Sequence, residues 1–231
     1  MPKLARLLPA LALALIAGRG PAAAGEAATP LPPPAVDMPA PAGGGAQTAV
    51  LAGGCFWGIQ AVFQHVKGVT RAVSGYAGGT VPSPSYEQVS SGLTGHAESV
   101  QITFDPAVIS YNRILQIFFS VAHDPTQLDR QGPDVGTQYR SDIFYADADQ
   151  KRVAEAYIAQ LDAAGVFDRP IVTRVDPLTA FYPAEEYHQD FAVKHPDYAY
   201  IVFNDAPKVV RLHQLFPEIY REDPVLVTAA E

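Results

Sequence analysis

Thr48-Ala-Val-Leu-Ala-Gly-Gly-Cys55-Phe-Trp-Gly-Ile-Gln-Ala-Val-Phe63 is the stretch from which the fold follows. Thr48 to Ala52 is a short apolar run, as in a buried strand, and Gly53-Gly54 ends it in a sharp turn. Phe56, Ile59, Phe63 and Val66 then fall at helical spacing, which places Cys55 at a helix amino-terminus. Working outward, Val69 to Tyr76 and His96 to Phe104 read as strands. The second alternates, with His96, Glu98, Val100, Ile102 and Phe104 on one face, so Glu98 points where core residues point. Ser110 is the predicted N-cap of a helix through Val121, and Val153, Tyr157 and Leu161 give 147–161 an amphipathic helical pattern. Tyr139 to Tyr145 and Pro170 to Val175 are further strand candidates. Helices and strands alternate without the dinucleotide-binding glycine fingerprint, which predicts an α/β (α+β) two-layer sandwich around a mixed sheet, a single domain over 48–222.

The flanks differ in composition. Lys3 and Arg6 precede the apolar run Leu7 to Ala17, and Ala22-Ala-Ala24 follows, the pattern of a signal peptide over 1–24 with cleavage before Gly25. The expected product is exported to the periplasm and free of the membrane once cleaved. Residues 25–47 are Ala-, Pro- and Gly-rich and read as a linker that cannot bury enough apolar surface to order itself. Residues 223–231 read as a short tail.

The 231 residues are 48% hydrophobic and 17% charged, enough for one real core, and they read as a monomer. The net charge of −8 argues against affinity for nucleic acid or anionic membrane. A single cysteine excludes a disulfide or multi-thiolate metal site within the sequence, and no metal is expected. Cys55 acts alone or with an outside thiol.

A cysteine at the first turn of a helix meets exposed N–H groups and the positive end of the dipole, both of which favour the thiolate. The bland alternative is a small residue chosen for a tight turn. Phe56 and Trp57 add two rings beside the sulfur, a setting for a methyl or thioether group that leaves the thiolate itself unburied. Glu98, on a core-facing strand position, is predicted to be desolvated and to keep its proton near neutral pH; the alternative is a strand-end carboxylate in a salt bridge. His96-Ala-Glu98 matches part of a zinc deaminase pattern, but its paired cysteines are absent. A cysteine hydrolase needs a His beside the thiol and an oxyanion hole, and no such local signature surrounds Cys55.

Gly54-Cys55-Phe56-Trp57-Gly58 resembles the active-site signature of the methionine sulfoxide reductase A family. Gly75-Tyr-Ala-Gly-Gly79, Pro84-Ser-Tyr86, the run 90–98 ending His-Ala-Glu98, His123-Asp-Pro-Thr126, Gly136-Thr-Gln-Tyr-Arg-Ser141 and Ala184-Glu-Glu-Tyr-His-Gln189 resemble its other blocks, in family order from Ala49 to Tyr220. The resemblance implies reduction of methionine S-sulfoxide, free or in proteins, with Cys55 as nucleophile through a sulfenic acid. It implies Glu98 as the acid for the leaving oxygen, supported by the Tyr86 and Tyr139 hydroxyls, with Phe56 and Trp57 holding the substrate methyl and Asp134 and His188 orienting the site. Many members carry later cysteines that attack the sulfenic acid; none follows Cys55 here, so an external thiol reductant such as a thioredoxin-like protein is implied instead of a bound cofactor. That absence also motivates a second reading, a module that binds methionine side chains without reducing them.

Overall fold

In the computed structural model, residues 30–36, 38 and 44–227 are described, so the expected signal peptide over 1–24 lies outside the described residues. Strand β1 (Gln47–Gly53) is buried on both faces. Ala49 and Leu51 join the main core, while Val50 and Ala52 join a smaller cluster with Ala77, Ala97 and Phe144. Two-sided burial is why this strand reads as a continuous apolar run. It is followed by α1 (Phe56–Gln64), β2 (Val69–Ala77), α2 (Tyr86–Ser90), β3 (Ala97–Phe104) and α3 (Tyr111–Ile117). A two-stranded ribbon, β4 (Arg130–Gln131) and β5 (Asp134–Val135), precedes β6 (Ser141–Tyr145), α4 (Ala148–Ala164), β7 (Arg174–Pro177), β8 (Phe181–Pro183), α5 (Phe191–Lys194) and α6 (Ala206–Leu215).

The main sheet has the order β7-β6-β1-β3-β2-β8, mixed because β6 and β7 are parallel and the other pairs antiparallel. The α/β two-layer expectation holds. Ser110 caps α3 by accepting the Arg113 N–H at 3.2 Å, and the helix continues as a π turn over Phe118–Ala122. Two expected boundaries move. Tyr139 ends a 3-10 turn (Thr137–Tyr139) before β6 begins. The strand expected from Pro170 starts only at Arg174, because the Val172 N–H is taken by the Pro125 carbonyl at 2.8 Å instead of by a strand.

The expectation that 25–47 cannot order itself is corrected for residues 30–36. The carbonyls of Leu31, Pro32, Pro33 and Val36 accept from Gln116, Tyr157, Gln160 and Asn112 at 2.6, 2.8, 2.9 and 2.6 Å. The Ala35 and Leu31 N–H groups donate to Gln160 and Ser120 at 2.8 and 3.3 Å. Consecutive prolines lose little backbone entropy on docking, and the hydrogen-bond partners come from α3, its π turn and α4, which a composition count cannot see. A protein starting at Gly44 is therefore expected to lose about 3 kcal/mol of stability, from hydrogen bonds each contributing about 0.5–1.5 kcal/mol. An unchanged urea midpoint would contradict the docking. The described part of the tail is also held, with the Val225 N–H on the Gln64 carbonyl and the Val227 N–H on Asp190 Oδ1, both at 3.0 Å.

Candidate active site

Cys55 is the N-cap of α1, at the end of β1. The turn that puts it there needs glycine. Gly54 has φ of +96°, and a Cβ on it would lie 2.5 Å from Gln131 Cγ. The thiol is free and only 8% exposed. Here the structure corrects the expectation of an unburied, readily ionised sulfur. Burial, then the charges of Glu98 and Asp205, push the Cys55 thiol well above its ordinary range, against the Trp57 N–H and the Lys208 ammonium. Helix-end stabilisation is present but smaller than the desolvation it opposes.

Glu98, near the start of β3, faces the same side as Val100 and is 2% exposed. Its Oε2 accepts the Phe56 N–H at 3.0 Å, so the carboxyl sits at the first free donor of α1, one residue from the nucleophile. Burial raises its pKa to about 8; the Phe56 N–H opposes this, and Asp134 and Asp205 add to it. With both groups raised, the resting pair at neutral pH is a thiol beside a neutral carboxylic acid.

The other expected residues converge on the same place. Glu98 raises the phenols of Tyr86 and Tyr139, after burial, and Cys55 acts on both as well. Tyr86 starts α2, its N–H held by Glu185 Oε1 at 2.8 Å, and Glu185 Oε2 accepts the Tyr76 hydroxyl at 2.8 Å. His188 is buried, with ring centroids 4.4 Å from Tyr86 and 5.0 Å from Phe56. Trp57 Nε1 donates to His188 Nδ1 at 3.2 Å, and His188 Nε2 has no partner among the described residues. Burial lowers the His188 pKa, so the ring is neutral. The Trp57 indole stacks on Phe191 at 3.8 Å and is edged by Tyr198 and Tyr200, which fixes its plane. Phe56 is 1% exposed and belongs mostly to the core. Asp134 accepts the Tyr200 hydroxyl.

Comparison with known proteins settles the family. Residues 47–218 match the model of the family described as peptide methionine sulfoxide reductase. The chain is 59% identical to peptide methionine sulfoxide reductase MsrA 2 of Mesorhizobium japonicum, over 80% of its own length and 95% of that protein. It is 50% identical to the MsrA of Thermus thermophilus, over 76% of its length and 98% of the relative. The chain belongs to the peptide methionine sulfoxide reductase family. Among solved structures, the methionine sulfoxide reductase A of Corynebacterium diphtheriae is 36% identical with a TM-score of 0.58, covering 66% of this chain and 76% of that one. Reduced Mxr1 of Saccharomyces cerevisiae is 35% identical with a TM-score of 0.59, covering 70% and 92%.

As a peptide methionine sulfoxide reductase, the protein reduces methionine sulfoxide to methionine and thereby repairs oxidised proteins. Its sulfur passes through a sulfenic acid that a thiol regenerates, and Cys55 is the only cysteine in the sequence. Several groups around the reductase site carry no sequence signal of their own. Tyr200, Asp205 and Lys208 come from a segment far downstream, where Ile201–Asp205 forms a π turn leading into α6. Gln189, the last residue of the 184–189 block, accepts from Gln60 and from the Ser74 N–H at 2.9 and 3.0 Å, tying the His188 segment to α1 and β2.

Proposed function

We propose that Cys55 attacks the sulfur of a methionine S-sulfoxide while the neutral Glu98 carboxyl delivers the proton that the departing oxygen needs. The observation that carries this reading is a buried carboxyl, raised to about 8, whose oxygen accepts the N–H of the residue next to the nucleophile. The atoms balance without any outside acid. Cys55 S–H and the sulfoxide give Cys55 S–OH and the thioether, the thiol proton replacing the one Glu98 lends. Tyr86 and Tyr139, both with raised pKa, stay protonated and act as hydroxyl donors to the oxygen. The Trp57 ring, with Phe56 behind it, takes the methyl group; His188 orients the indole and Asp134 orients Tyr200.

Regeneration falls to an outside thiol. One thiol displaces water from Cys55 S–OH to give a mixed disulfide, and a second releases Cys55 S–H. A thioredoxin-like protein has the chemistry for both steps, and the signal-peptide pattern of 1–24 supports a periplasmic setting for the pair. The substrate is methionine sulfoxide, free or in exported proteins, and the enzyme works as a monomer. The test is to oxidise the protein with each epimer, add one equivalent of a monothiol, and weigh the product. A single thiol adduct on Cys55, formed after the S epimer only, is the expected result. Direct return to free thiol without an adduct, or equal reaction of both epimers, would overturn it.

A further inference from the structure

Cys55 is the N-cap of α1 and Gly58 is the third residue of its first turn. A Cβ on Gly58 would lie 2.1 Å from Asp205 Oδ1 and 2.7 Å from Lys208 Nζ. The absent side chain is thus replaced by a carboxylate and an ammonium, brought to the first turn of the helix that the nucleophile caps. An N-cap side chain lies over the backbone of the second and third helical residues, here Trp57 and Gly58, so the Asp205 and Lys208 charges packed on Gly58 act on the Cys55 sulfur. Asp205 is fully buried, and its Oδ1 accepts from Lys208 Nζ at 3.1 Å. Its Oδ2 has no hydrogen-bond partner among the described residues. Lys208 is 19% exposed and also lines a cleft of about 750 Å³ with His123 and Gln131.

A buried ion pair with one orphaned oxygen is a poor stability device, because the cost of desolvation roughly cancels its attraction. Its position gives it another use. The other titratable groups facing Cys55 are Glu98 from β3, Tyr86 from α2, Tyr139 from the 3-10 turn and Tyr200 before the π turn, with Asp134 behind Glu98 and Tyr200. Lys208 is the one cation acting on the sulfur in this set. We propose that Asp205 and Lys208 are an opposed pair of positioning residues for the Cys55 sulfur, Asp205 keeping the resting thiol protonated and Lys208 drawing negative charge onto it during attack.

A protonated thiol resists direct oxidation, since the thiolate is the reactive species. That protection matters in a sequence with no second thiol to intercept over-oxidation of Cys55. The inference rests on Cys55 as the nucleophile, which the single-turnover experiment that closes the Discussion tests on its own.

The experiment is alkylation of the substrate-free, full-length enzyme by iodoacetamide as a function of pH, where Cys55 is the only label site. Asp205→Asn is expected to speed alkylation at pH 8 by about tenfold, the effect of one pKa unit on the thiolate fraction. Lys208→Met is expected to slow it, and Lys208→Arg to restore it. Lys208 is partly exposed, so this half of the test stands even if Asp205→Asn fails to fold. A purely packing role would speed alkylation in both variants by opening the site. That result, or rates unchanged in both, would overturn the proposal.

Discussion

Cys55→Ser releases no methionine from either sulfoxide epimer, yet folds at least as well as the parent. Attack at a sulfoxide sulfur needs a soft nucleophile, and an alcohol oxygen in the same position has neither the polarisability nor an oxidised state equivalent to a sulfenic acid. The fold is spared because serine is a preferred N-cap, whose oxygen can accept a free N–H at the start of α1 at least as well as the Cys55 sulfur does. The variant is expected to match or exceed the parent's melting temperature while its turnover falls below detection. Methionine formation by this variant above the uncatalysed rate would remove Cys55 from the reaction.

Glu98→Gln has the second largest effect. Glutamine is nearly the same size and its oxygen can still accept the Phe56 N–H, so the site keeps its shape and loses its transferable proton. Loss of a general acid of this kind costs about 10²–10⁴ in rate. The parent loses activity as pH rises through about 8, where Glu98 gives up its proton, and the glutamine variant shows no such step. Stability moves with a definite sign. The folded pKa of Glu98 is raised above its ordinary 4.5, so folding loses stability between pH 4.5 and about 8 as the unfolded chain ionises and the buried carboxyl does not. The variant is therefore more stable relative to the parent at pH 9 than at pH 5. An unchanged difference between the two pH values would mean that Glu98 is not the buried acid described above.

The parts of the site that could be read from the sequence are those carried by local pattern. Gly53-Gly54-Cys55 fixes a helix start, and the alternation from His96 to Phe104 turns Glu98 toward the core; both are consequences of neighbours within a few residues. Tyr86, Tyr139 and His188 stand out only through family blocks and Asp134 only through the family resemblance as a whole, and the structure brings them to Glu98 and Trp57 through loops whose course no periodicity encodes. Asp205 and Lys208 were invisible for a further reason: they matter by entering space left by Gly58, a contact between segments far apart in the chain. The resting charge of Cys55 was misjudged because a helix end is legible locally, whereas the depth of burial that outweighs it is set by the whole fold. The same holds for residues 30–36, proline-rich in composition but matched to donors on α3 and α4.

The most direct test of oxygen transfer to Cys55 is a single turnover of the enzyme with methionine S-sulfoxide and no reductant, counting methionine and weighing Cys55 by mass spectrometry. The account predicts one methionine per enzyme with Cys55 one oxygen heavier, trapped as a sulfenic acid. No methionine from an enzyme whose Cys55 starts as a free thiol, or methionine formed with Cys55 unchanged, would contradict it.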